Sequence, residues 1–196
     1  MSTDLHEFVD EIRACQLCTE DMARAPRPIL QVSQTAKLLI AGQAPGNLAM
    51  ESGRPFTDPS GVRLRDWLQI DEAVFYDPAK VAIVPMGFCF PGYDKNGGDI
   101  PPMTRCADTW HVPLFERLPQ IELKVLIGGY AQRWHIGDQM EKTLTATVQK
   151  WRSFLEQGVI VTPHPSWRNN AWLKRNPWFE TELLPELRKR VQVLLS

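Results

Sequence analysis

Leu38-Leu39-Ile40-Ala41-Gly42-Gln43-Ala44-Pro45-Gly46 is the stretch that decides the fold. With Lys37 before it, Leu38 to Ala41 is an apolar run of strand length with no polar alternation, as in a strand buried on both faces. The chain then breaks into Gly-Gln-Ala-Pro-Gly, the composition of a tight turn. That turn lies at the carboxyl end of the strand, the edge of an open α/β sheet where ligands bind. It has no lysine and lacks the Gly-x-x-x-x-Gly-Lys spacing of a nucleotide phosphate loop. Its weight comes from two other segments, Gly53-Arg54-Pro55-Phe56 and Pro163-His164-Pro165-Ser166.

Three further runs read as buried strands: Val81 to Val84, ended by Pro85; Val125 to Ile127, stopped by Gly128-Gly129; and Val159 to Val161. Helical patterns lie between and around them. Leu5, Phe8, Val9 and Ile12 share one face. Asp58-Pro59-Ser60 starts a helix that carries Leu64, Trp67 and Leu68 to about Ile70. A helix after Pro102 carries Cys106 and Trp110. Leu144, Val148, Trp151 and Leu155 share a helical face, and a last helix covers roughly Pro177 to Leu195. Residues 23–36 read as a connector. Residues 86–102, rich in glycine and proline, form a long loop of the kind that is usually functional. Strands alternating with helices predict an α/β fold, a three-layer α/β/α sandwich on a parallel sheet. There is no internal repeat, and 196 residues suit one domain over 1–196.

Formal net charge is −1, so no global field draws the chain to DNA or acidic membranes, and any nucleic-acid surface must be local. No apolar stretch approaches the roughly 20 residues that cross a bilayer. Met1 to Asp10 is acidic and lacks a signal-type apolar segment, so a cytoplasmic location is expected. Cysteines in such a setting are more often metal ligands or reactive thiols than disulfides. Cys15 and Cys18 have the two-residue spacing that lets two thiolates share one metal. Cys89 and Cys106 stand far away, with sixteen residues between them. Structural zinc usually takes two short Cys-x-x-Cys knuckles, whereas an iron–sulfur cluster tolerates dispersed ligands. Spacing leaves both open, beside unconnected buried cysteines.

Gly42-Gln43-Ala44-Pro45-Gly46, Gly53-Arg54-Pro55-Phe56, the four cysteines and His164-Pro165-Ser166 together resemble the uracil-DNA glycosylase superfamily. The cysteine pattern is most similar to its family 4, whose members carry a [4Fe–4S] cluster. The resemblance runs from about Glu11 to Leu187. It implies a four-stranded parallel sheet and a structural cluster held by Cys15, Cys18, Cys89 and Cys106, with structural zinc as the alternative. Such a cluster would pin the 86–105 loop. The activity implied is that of a monofunctional DNA N-glycosylase in base excision repair, acting on DNA with a deaminated base, as a monomer.

The chemistry explains those residue types. Breaking an N-glycosidic bond leaves charge on the departing base, and a fixed donor that meets this charge lowers the barrier. The resemblance gives that role to His164, which two flanking prolines hold stiff. An extruded base needs a stacking platform; Phe56 matches it. Gln43, Ala44 and Gly87 would line the base pocket, and Gln43 and Asn47 would orient the attacking water. Residues 164–178 contain Arg168, Lys174, Arg175 and three tryptophans but no acid, the mixture of a nucleic-acid groove. Ser166, Arg168 and Asn169 are expected on phosphates and Trp167 at the vacated base.

Four positions depart from the family pattern. Ala44 and Asn47 stand where relatives often carry acids, so the usual water-activating carboxylate is missing. Gln43 replaces a family Glu. Pro85 stands where the family's base-reading Asn falls, and proline has neither N–H nor side-chain polar atom. Backbone groups of 86–88, or Asp94, Lys95, Asn96 and Asp99, would then read the base, and Glu51 or Asp58 would replace the acid. Alternative readings are a catalytically weak iron–sulfur protein that binds lesions and, from another class, a small-molecule enzyme acting on nucleosides.

Overall fold

The computed structural model describes residues 4–196; the first three residues of the acidic N-terminal stretch lie outside it. Four parallel strands, β1 (Leu38–Ala41), β2 (Val81–Ile83), β3 (Leu123–Ile127) and β4 (Val159–Thr162), form one sheet in the order β2-β1-β3-β4. Leu38 pairs with Val81 on one side and Leu123 on the other, and Val125 pairs with Ile160. The chain leaves β1 toward β2, then crosses back to build β3 and β4. The order therefore reverses between β1 and β3, and loops at the carboxyl ends diverge there to leave a crevice.

Helices cover both faces, as parallel strands require. Leu39 and Ala82 point into one layer with α1 (Leu5–Arg13) and α5 (Thr104–Phe115), through Phe8, Ile12 and Leu114. Leu38, Ile40, Val81 and Ile83 point the other way, into a core with α3 (Pro59–Leu68), α4 (Glu72–Phe75) and α10 (Leu184–Leu195). This is the expected α/β/α sandwich. α2 (Asn47–Ser52), α6 (Gly128–Ile136), α7 (Leu144–Gln149), α8 (Trp151–Leu155) and α9 (Asn170–Arg175) complete the helices.

Some elements differ from the sequence expectation. Gly128-Gly129 ends β3 but also opens α6: Gly128 takes φ 77°, turning the chain straight into the helix. The apolar face of 144–155 is divided between α7 and α8, which meet at Lys150. The last helix opens with a wide turn over Phe179–Leu183 before α10 begins.

Candidate functional site

The turn after β1 is tied to the turn after β2. Met86 N–H donates to the Gly42 carbonyl at 2.9 Å and Gly87 N–H to the Gln43 carbonyl at 2.9 Å. The Gln43 side chain continues the seam, donating from Nε2 to the Ile100 carbonyl at 3.3 Å. Gly87 sits under Ala44 and Pro102, where an added Cβ would meet Pro102 at 2.9 Å. Gln43, Ala44 and Gly87 are thus gathered at one sheet edge. The amides of 86–88 are spent, because Phe88 N–H reaches Cys106 Sγ at 3.3 Å. With these N–H groups engaged, base reading by the backbone of 86–88 would fall to its carbonyls. Pro85 offers only its carbonyl, met by Nε2 of the buried His111 at 3.0 Å. Burial pushes His111 down to about 4, so this ring is neutral at pH 7 and the ring nitrogen facing Pro85 carries the proton.

Phe56 is built into place. It takes φ 55°, unusual for a residue with a side chain. Its carbonyl accepts from Tyr76 Oη at 3.1 Å, and the Pro55 carbonyl accepts from the same hydroxyl at 2.9 Å. Gly61 on α3 leaves the room, for a Cβ there would lie 1.8 Å from the Phe56 oxygen. The Phe56 ring tip reaches the other motif, within 3.5 Å of where a Gly42 Cβ would stand. Phe56 and the Gly42–Ala44 turn therefore form one surface.

His164 follows β4 and is half-buried. Its carbonyl accepts from Asn169 Nδ2 at 2.7 Å, which folds the loop back on itself. Burial lowers its pKa, while the charges of Asp58 and Asp99 pull it up and Arg168 pulls it down. Arg63 on α3 makes the mechanical link: its guanidinium donates to the Ser166 carbonyl at 3.1 Å and to Asn170 Oδ1 at 2.9 Å. Trp167 is 71% exposed, with Arg168 beside its ring at 5.7 Å. Trp172 and Trp178 are half-buried and pack against the core.

The acids separate by their surroundings. Asn47 opens α2, its Oδ1 accepting from Arg24 at 2.9 Å and its Nδ2 donating to Glu51 at 2.7 Å. Glu51 is thus engaged by Asn47. Asp94 accepts the N–H groups of Asn96 and Gly98 at 2.8 and 2.9 Å and orders its own turn. Asp99 is exposed beside Ile100, whose carbonyl Gln43 touches. Asp58 occupies the N-cap of α3, yet its side chain makes no capping bond. Arg24 and Arg63 carry no motif that sequence reading could have found; each is one arginine on a connector or helix face.

All four cysteines line one small cavity of about 20 Å³ with Phe88 and Met103. Burial first, and the other thiols second, push Cys106 up to about 12; Cys89 rises to about 11, mainly by burial. Arg105 joins the halves of this wall, bonding the Leu17 carbonyl at 3.0 Å and Asp21 at 2.9 Å from the position next to Cys106. Among the described residues, no group of three or more His, Cys, Asp or Glu side chains is gathered to hold a metal ion. The donor set is therefore four soft sulfurs around a cavity rather than a closed mononuclear cage.

A sheet edge that joins a glycine–proline turn, a fixed phenylalanine and a stiff histidine loop is now in place. The family model of the uracil DNA glycosylase superfamily matches residues 30–188, spanning all four strands and both end motifs. This chain belongs to the uracil DNA glycosylase superfamily.

Proposed function

We propose that the protein is a monofunctional DNA N-glycosylase that extrudes and excises uracil or a related deaminated base. The observation that carries this is the Arg63 bridge, which holds the arm bearing Phe56 and the loop bearing His164 at one edge of the sheet. In this reading the base stacks on Phe56 beside Gln43, Ala44 and Gly87. His164, neutral at pH 7, donates to a base oxygen as the glycosidic electron pair moves onto the base. Water forms the new bond at the sugar carbon. Asn47 keeps one N–H and one lone pair beyond its bonds to Arg24 and Glu51 and orients that water. The uncommitted Asp58 carboxylate takes the water's proton. Ser166, Trp167, Arg168 and Asn169 face the DNA backbone and the vacated position.

Cys15, Cys18, Cys89 and Cys106 would hold a [4Fe–4S] cluster: all four line one cavity and none is in a disulfide. When bound, the cluster would supply cross-links between the N-terminal segment, the 86–105 loop and α5. Structural zinc on the same four sulfurs is the alternative.

An oligonucleotide with one uracil or one hypoxanthine, incubated with protein and then alkali, tests the activity. Strand breakage at the modified position is the expected result. A second reading, a lesion-binding protein without chemistry, is favoured by Ala44 and Pro85, which remove two polar groups from the pocket. Intact strands with both bases at excess protein, with binding retained, would establish that reading instead.

A further inference from the structure

A second recess lies beside the first motif. It is an open recess of about 260 Å³ between Ala23, Arg24, Phe90, Pro91, Gly92 and Tyr93. Tyr93 is 55% exposed, although it is a large aromatic that packing has not claimed. Its ring stands edge-on to the buried Phe90, with centroids 5.0 Å apart. Gly92 takes φ 100°, a conformation that brings the chain under the tyrosine. A bridge from Tyr93 to Asp99, together with the Ile100 N–H on the Gly92 carbonyl at 3.0 Å, fixes the hairpin. Asp94 is turned into its own loop by the amides of Asn96 and Gly98.

Two hydrogen bonds tie the segments around the recess to the candidate site. Arg24, on its rim, bonds Asn47 at 2.9 Å. Ile100, at the far end of the hairpin, bonds Gln43 at 3.3 Å. An aromatic face paired with a guanidinium is the combination that holds one unpaired nucleotide, base on ring and phosphate on arginine. Arginine has five N–H donors, so Arg24 can hold a phosphate and keep Asn47.

We infer that the Arg24–Tyr93 recess binds a second nucleotide, the unpaired neighbour of the extruded one on the same DNA strand. This rests on the glycosylase reading of the main site. Because a paired neighbour cannot enter the recess, the protein binds a single-stranded target more tightly than the same sequence in a duplex.

The test is a binding cycle with a fluorescein-labelled single strand that carries uncleavable 2′-fluoro-2′-deoxyuridine. The base on one side of the lesion, then on the other, is replaced by an abasic tetrahydrofuran. With wild-type protein, removal on one side is expected to weaken binding about tenfold, the worth of one base–aromatic stack. In Tyr93→Ala the same removal should cost nothing further, while Tyr93→Phe should keep the penalty. Arg24→Gln should reduce the salt slope by about one. Equal losses in wild type and Tyr93→Ala would overturn the recess and leave the glycosylase reading standing. Failure of the wild type to bind the strand at all would bring down both, a result distinct from the first.

Discussion

His164 and Phe56 are fixed by different means. Two prolines and the Asn169 bond stiffen the histidine loop, whereas Phe56 is wedged into a left-handed conformation by Tyr76 and the space over Gly61. The first was legible in the sequence, because prolines flanking a histidine announce stiffness. The second was not, since nothing in Arg54-Pro55-Phe56 signals positive φ; the demand comes from α3. Gly61→Ala should therefore disturb the site through packing, costing about 1–3 kcal/mol of stability as an overpacked contact. Thermal unfolding together with single-turnover excision will read it. A variant with wild-type melting and rate would show that Phe56 moves freely. Asp58 belongs to the same scale. If its carboxylate takes the water's proton, Asp58→Asn loses roughly 10²–10⁴ in single-turnover rate with binding retained. An unchanged rate in that variant would remove Asp58 from the chemistry.

Among the elements, α3 carries the most. It begins three residues after Phe56, houses Gly61 and sends Arg63 to the loop after β4. Its start was readable from Asp58-Pro59-Ser60, an N-cap followed by proline at the first turn. Its reach was not, because a single arginine on a helix face looks like ordinary surface. Arg63→Ala should release the histidine loop, lowering the rate constant roughly tenfold or more with a smaller change in binding, as a 1 Å misplacement does. Arg63→Lys, which lacks the guanidinium fork, should restore little. Loss of binding with an unchanged rate constant would assign Arg63 to DNA contact instead. The segment 144–155 teaches the converse: one apolar face predicted one helix, yet the break at Lys150 satisfies the same burial with two.

For the whole molecule, the sheet and its order place every motif at one edge, and the alternation of strands with helices made that layout readable. The gathering of four cysteines around one cavity was readable only through the family resemblance, because spacing alone does not bring Cys15 near Cys106. Anaerobically purified protein should carry about four iron and four sulfide per chain with broad visible absorption; colourless protein with one zinc would refute the cluster. His135 gives the fold an acid weakness. Burial first, then Lys124 and His111, pushes it down to about 3, with its Nε2 unpartnered. The unfolded chain binds a proton near 6.5 and the folded chain does not, so stability is full above 6.5 and falls as pH drops toward 3. The slope from this residue is at most about 1.4 kcal/mol per pH unit. Denaturant melts across that window should show the fall, and His135→Phe should flatten it; an identical slope in the variant would mean that other groups carry the acid sensitivity.

The most direct measurement is single-turnover excision from a uracil-containing strand by wild type and by His164→Ala, followed by alkali. The account predicts cleavage by the wild type and a loss of roughly 10²–10³ in the variant, the worth of one preorganised donor. Equal rates in the two proteins would contradict it.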